Sequence, residues 1–214
     1  MDRWSIGLAL CAGAALAICT AQSAFALDPR YPDWPCQQLK VPEISLASVW
    51  AGPAIEGADK TPTADAKEAD FVSRLAARRT PIEDAQKLID EFVVGTSDEK
   101  RAKAVTLFAA LFSTLNAQRG EVMRGIERFS RKQKALAEEI REKTRKMQAL
   151  QDAPQSDQAE IDALVSQVTW ETRIFEDRRK STSYVCEVPV IIEKRLFDLG
   201  RAIQSAAAFD PLPK

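Results

Sequence analysis

The chain has 214 residues, 30 Lys and Arg against 31 Asp and Glu, no histidine and a formal net charge of -1. A chain without histidine cannot run Ser-His-Asp or Cys-His catalysis, attach haem through Cys-x-x-Cys-His, or build His-containing zinc or di-iron sites. Its near-neutral charge argues neither for nor against a nucleic-acid partner, and none is expected.

Residues 1–26 have the pattern of a secretory signal. Arg3 gives a short positive start, Trp4 to Ala21 is apolar and Ala-rich, and Ala24-Phe25-Ala26 is a small-x-small cleavage pattern. Cleavage after Ala26 predicts a periplasmic protein with no membrane span. An uncleaved segment anchored in the inner membrane is the alternative, because the apolar run is near the minimum spanning length. Asp2 and Arg3 leave together, so the mature charge stays at -1. Cys11 and Cys19 leave as well, and Leu16-Ala17-Ile18-Cys19 fails as a lipobox because Ile18 is too large.

Two cysteines then remain, Cys36 and Cys186, and in an exported chain they are expected to form one structural disulfide. No Cys-x-x-Cys spacing supports a redox pair. Residues 27–62 hold Pro29, Pro32, Pro35, Pro42, Pro53 and Pro62, which excludes a long helix. Tyr31, Trp34, Val41, Ile44, Leu46, Val49 and Trp50 give this segment a side to bury, so it reads as an ordered clamp, with a docking peptide as the alternative. Ser45 is placed to cap a single helical turn.

Thr63 to Arg79 reads as a first short helix. Thr80-Pro81-Ile82-Glu83 reads as the start of a second, with a capping box from Thr80 to Glu83 and a stop at Gly95. Thr96-Ser97-Asp98-Glu99 opens a long helix to about Gln151, and Asp157 to Ala208 reads as its return after a short break around Pro154. From Val105 to Leu150 the first arm carries a heptad row interrupted at Arg119, Gln133 and Lys143. From Ile161 to Ala206 the second carries one interrupted at Glu171, Arg178 and Thr182, with Pro189 placed to kink or break it. Neither row is buried by its own helix, and the break is short, so the arms are expected to lie antiparallel.

The expectation is therefore an all-α fold: a long antiparallel helical hairpin, or coiled-coil stalk, with a small helical head. Residues 63–116 and 186–214 are assigned to the head, where the apolar stripe is wider than one row, and residues 117–185 to the stalk. The two short helices and the disulfide-pinned segment complete the head.

No cofactor, metal or catalytic site is expected. GPAIEGADKT at 52–61 lacks the lysine spacing and preceding strand of a phosphate loop, and the cluster Glu138, Glu139, Glu142 is interleaved with Arg141, Lys143 and Arg145 as on a solvated helix face. Two features point to binding. Mid-stalk, the two runs carry ten basic and five acidic residues, including Arg124, Arg128, Arg131, Arg178 and Arg179. Trp170 and Ile174 lie one turn apart beside the row, either exposed as an interface anchor or laid against the other arm near Leu136. The reading is a non-enzymatic exported protein that engages a cell-envelope protein through its stalk, with self-association as a further option. The rival is a chaperone-like or polyanion-binding module that uses the basic mid-stalk.

Overall fold

The computed structural model describes residues 28–55 and 66–209. The signal segment, residues 56–65 and residues 210–214 lie outside it, and with them the expected cleavage site, Cys11, Cys19 and the expected helix start at Thr63. Among the described residues the chain is all-helical: α1 (Ala66–Ala76), α2 (Ile82–Phe92), α3 (Ser97–Asp152) and α4 (Gln158–Ala206), preceded by a 3-10 turn at Leu46–Ser48. No helix among them is long and apolar enough to cross a membrane.

Local chemistry sets the helix ends. Gly95 has φ 126°, a conformation L side chains avoid, and a Cβ there would stand 2.5 Å from Glu99 Oε2. That turn sets Thr96 as N-cap of α3, whose hydroxyl accepts from the Glu99 amide while Glu99 Oε2 accepts from Thr96 N–H at 2.8 Å. The expected box at Thr80 does not form. Thr80 Oγ1 donates instead to Arg74 O at the end of α1, and Pro81 is the N-cap of α2. Ser45 precedes its turn without a capping side-chain bond. At the distal connection Asp157 caps α4 by accepting from Ala159 N–H at 2.9 Å. α4 runs unbroken through Pro189, which is buried, so the expected break is absent.

α3 and α4 form a long helix pair joined at 153–157, and their cross-contacts climb one helix as they descend the other. Lys146 reaches Glu160 at 2.8 Å, Lys143 bonds Glu171, Gln133 donates to Phe175 O at 3.2 Å, and Arg119 meets Glu193 at 2.5 Å. Arg119 and Lys143, two of the polar residues that interrupt the heptad row of α3, thus find acidic partners across the pair, whereas Gln133 bonds through its amide nitrogen and leaves Oε1 buried without a partner. Buried Ile161, Leu164, Ile192, Leu196, Leu199 and Ile203 of α4 fill the positions between.

Near the chain termini of the pair the apolar stripe widens, and α1 packs on α3 while α2 packs on α4. Leu75, Ile89, Leu107, Phe108, Leu111, Leu115, Leu196, Leu199 and Ile203 are fully buried there. Residues 28–55 form a strap that runs along α3 in the opposite sense. Asp33 meets Arg131 and Lys134, Trp34 packs on Met123 and Ile126, and Ile44 N–H donates to Asn116 Oδ1. Trp50 ends the run, stacked on Phe108 at 4.2 Å with Phe209 edge-on at 5.6 Å. The strap follows about 26 residues of α3, roughly 39 Å of helix. Each tryptophan satisfies its indole N–H on the strap itself, Trp34 on Gln38 O and Trp50 on Pro53 O, both at 2.8 Å. The Cys36–Cys186 disulfide, Cα to Cα 5.6 Å, ties the strap to α4, and the Gln38 amide donates to Cys186 O beside it.

Candidate interaction surface

The basic residues singled out in the sequence are distributed unequally once folded. Arg124 and Arg128 both bond Glu121, at 2.7 and 3.0 Å, and Arg131 faces Asp33 of the strap at 3.2 Å. Lys134 also reaches Asp33, at 3.0 Å, and donates to Pro32 O. These contacts hold the Asp33 carboxyl below its ordinary 3.8, Lys134 first and Arg131 second. Glu121 is lowered in the same way by hydrogen bonds from Arg124 and then Arg128. With Arg119 on Glu193 and Lys180 on Asp177, six of the ten basic residues of the expected zone are therefore answered by acids of the same chain. Asp33 lies 98 residues from Arg131, a distance across which sequence spacing carries no pairing signal.

Arg178 and Arg179 sit on α4 about level with Arg128 and Arg131, given the contact of Gln133 with Phe175. Both are exposed, and among the described residues neither forms an ion pair. Trp170 is 61% exposed, which settles its two alternatives in favour of solvent, and Ile174 one turn on is half-buried. The seven residues named from sequence thus fall into two groups. Arg124, Arg128 and Arg131 are engaged on α3; Trp170, Ile174, Arg178 and Arg179 are presented by α4.

The sequence reading missed Tyr184, the most exposed aromatic in the described chain at 73%, and Ile191 at 43%. Both fall on the heptad positions that follow Trp170, at i+14 and i+21, so the periodicity that located the helices contained the signal. Half-buried Val188 continues the same face into a cleft of about 440 Å³ between α3, α4 and the end of α1. Val122, Val188 and Ile192 give it an apolar wall, and Arg78, Arg128 and Arg195 stand around it. Arg195 is tied down by Leu75 O and Thr80 O, and burial lowers its pKa. In chemical terms this surface offers aromatic and aliphatic area bordered by cations, which suits recognition.

Among the described residues no group of three or more His, Cys, Asp or Glu side chains is placed to hold a metal ion. The chain matches no protein-family model, no curated protein and no solved structure.

Proposed function

We propose that this is an exported, non-enzymatic interaction protein of the bacterial envelope. α3 and α4 act as one antiparallel helical hairpin. Its base, covered by α1, α2 and the strap, is the folded head, and its far part is a two-stranded coiled-coil stalk. We place the change from one to the other near Lys134, where the strap's contacts begin, rather than at residue 117. A partner protein engages the exposed face of α4.

The observation that carries this reading is the exposure of two large aromatics, Trp170 and Tyr184, two heptads apart on the same face of α4. Large aromatics left in water over several turns are the usual composition of an interface centre, and Arg173 and Arg178, one on each flank, provide the polar rim. An intact disulfide between Cys36 and Cys186 supports an oxidising compartment and so the periplasmic assignment. The polyanion-binding alternative has less support, because Glu121 and Asp33 already answer Arg124, Arg128 and Arg131.

Photo-crosslinking in the native envelope tests the proposal. A photoreactive residue is placed at position 170, at 184, or at exposed Gln148 near the tip as control. Specific protein adducts are expected at 170 and 184 and not at 148. Absence of any adduct at both positions would remove the interaction reading.

A further inference from the structure

The open face of α4 has the spacing of a second helix-packing row. Trp170, Ile174, Tyr184, Val188 and Ile191, with Asp177 and Ser181 between them, succeed one another at alternating four- and three-residue steps. These positions fall one residue before the row that faces α3. The strap's contacts fall on the other flank: Asn116, Met123 and Glu127 on α3, and Cys186 on α4. The strap therefore covers one side of the helix pair, and among the described residues nothing covers the other beyond the end of α1. Trp170, Tyr184 and Ile191 are 61%, 73% and 43% exposed along this row.

This row is self-complementary in one register. Resting on the interaction reading above, we propose that the partner is a second copy of this chain, docked α4 against α4 in antiparallel sense about a two-fold axis level with Arg179. In that register Trp170 of one copy meets Val188 of the other, Ile174 meets Tyr184, and Asp177 meets Ser181, each contact occurring twice. Apolar residues meet apolar ones on either side of a polar centre, and at the outermost step Ile191 meets Gln167. Arg173 and Glu187, the residues that flank the row, then oppose one another across the interface, again twice. Both are exposed, and neither has an ion pair among the described residues of its own chain. Opposed flanking charges of this kind set orientation in coiled-coil pairs.

The neighbouring registers fail on the same residues. A one-heptad shift in one direction sets Trp170 on Arg195, Asp177 on Val188 and Arg173 against Lys194. The opposite shift sets Trp170 on Ser181, Ile174 on Asp177 and Arg173 against Lys180. Two like-charge approaches remain in the favoured register, Lys180 and Arg178 each near its own counterpart; each Lys180 has Asp177 at 3.4 Å to offset it, whereas Arg178 forms no ion pair among the described residues of its own chain. The contact runs from Gln167 to Ile191, roughly 36 Å of helix, and builds four helices from two pairs.

The test uses the purified mature protein in sedimentation velocity over a concentration series. A monomer–dimer equilibrium is expected, and Trp170→Ala/Tyr184→Ala should raise its dissociation constant about tenfold or more with helicity unchanged. Register is read by mixing Asp177→Cys protein with Ser181→Cys protein under mild oxidation, where the mixed dimer should crosslink faster than either variant alone. A protein that stays monomeric across the series overturns the proposal, as does a dimer indifferent to Trp170→Ala/Tyr184→Ala. The photo-adducts separate this failure from that of the underlying reading. Adducts to a different protein at position 170 or 184 would retain the interaction role and exclude the second copy, whereas no adduct at all would exclude both.

Discussion

Reducing the Cys36–Cys186 disulfide should cost stability without freeing the strap. The bond closes a loop of 150 residues. In the chain-entropy account a loop of that length is worth about 5 kcal/mol, acting through the unfolded ensemble. The folded strap has independent attachment, since Trp34, Val49 and Trp50 are only 5%, 4% and 5% exposed. Burial of each such side chain contributes about 2 kcal/mol, and the ion pair of Lys40 with Glu127 adds to it. The assay is guanidinium denaturation with and without reductant, followed by far-UV circular dichroism and by tryptophan emission in a Trp170→Phe protein expressed from Leu27 onward, without Trp4, so that only Trp34 and Trp50 report. With a denaturant slope of about 4 kcal/mol/M for a chain of this size, the midpoint should fall by roughly 1 M while both probes continue to move together. Two outcomes would refute the reasoning. A red shift of the strap tryptophans on reduction alone, with helicity unchanged, would mean that the sulfur bridge alone holds the strap down. A midpoint change below about 0.3 M would mean that the crosslink constrains little of the unfolded chain.

The cross-pair contact of Arg119 with Glu193 predicts a non-additive cycle. Arg119 is 3% exposed, so Glu193→Ala strands a buried cation at about 3 kcal/mol, whereas Glu193→Ala with Arg119→Met should cost less than that single change in urea denaturation. Replacing Lys143 and Glu171 together by Met and Leu should be neutral or raise the melting temperature. Both side chains are largely buried between the helices and Glu171 Oε2 has no hydrogen-bond partner, so a melting temperature several degrees lower would contradict this. Ala208 takes φ 55° where the end of α4 closes with Phe209 N–H on Gln204 O, so Ala208→Gly should stabilise by about 1 kcal/mol, read as a higher denaturation midpoint. Asp33, Glu121 and Glu138 are held below their ordinary values by bonded Arg and Lys partners. Their folded pKa values therefore lie below the unfolded ones, so their contribution is complete above the ordinary 3.8 and 4.5 and is lost as pH falls through the folded values. Denaturation midpoints should decline below about pH 4.5, less steeply in Asp33→Asn.

The helix pair was legible because periodicity over many turns is redundant. α3 was expected to end at Gln151 and ends at Asp152; α4 was expected to begin at Asp157, and that residue is its cap. The disulfide was legible because two cysteines leave one pairing. What escaped the sequence were choices made between distant segments. Nothing in the spacing of Arg131 shows that Asp33 will lie beside it, or that Arg119, an apparent flaw in the heptad row, is matched by Glu193 on the other helix. The break allowed for at Pro189 does not occur, because a proline removes one backbone donor and crowds one carbonyl, a local cost that the surrounding packing of α4 exceeds. Trp170 was undecidable for a similar reason. One position off the row places a side chain on a shoulder of the pair, where it either lies against α3 or stays in solvent, and the strap, whose contacts begin at Lys134, does not reach the level of Lys143 and Glu171 to decide it.

The course of the strap bears on function as well as on fold. A two-helix ribbon has two broad sides, and an apolar side exposed over many turns promotes uncontrolled association unless it is covered or matched. On one side the chain supplies its own cover, with Trp34 and Trp50 inserted and the nearby cations neutralised by Asp33. On the other, aromatic and aliphatic residues recur at heptad intervals with Arg173 and Glu187 beside them. Trp170, Tyr184 and Ile191, 61%, 73% and 43% exposed, could be Lys, Glu or Gln with little loss to the core, whereas Val188 also packs against it. In the proposed register Trp170 meets Val188, Ile174 meets Tyr184 and Arg173 meets Glu187, and the neighbouring registers lose these matches, which is how one contact is favoured over its alternatives.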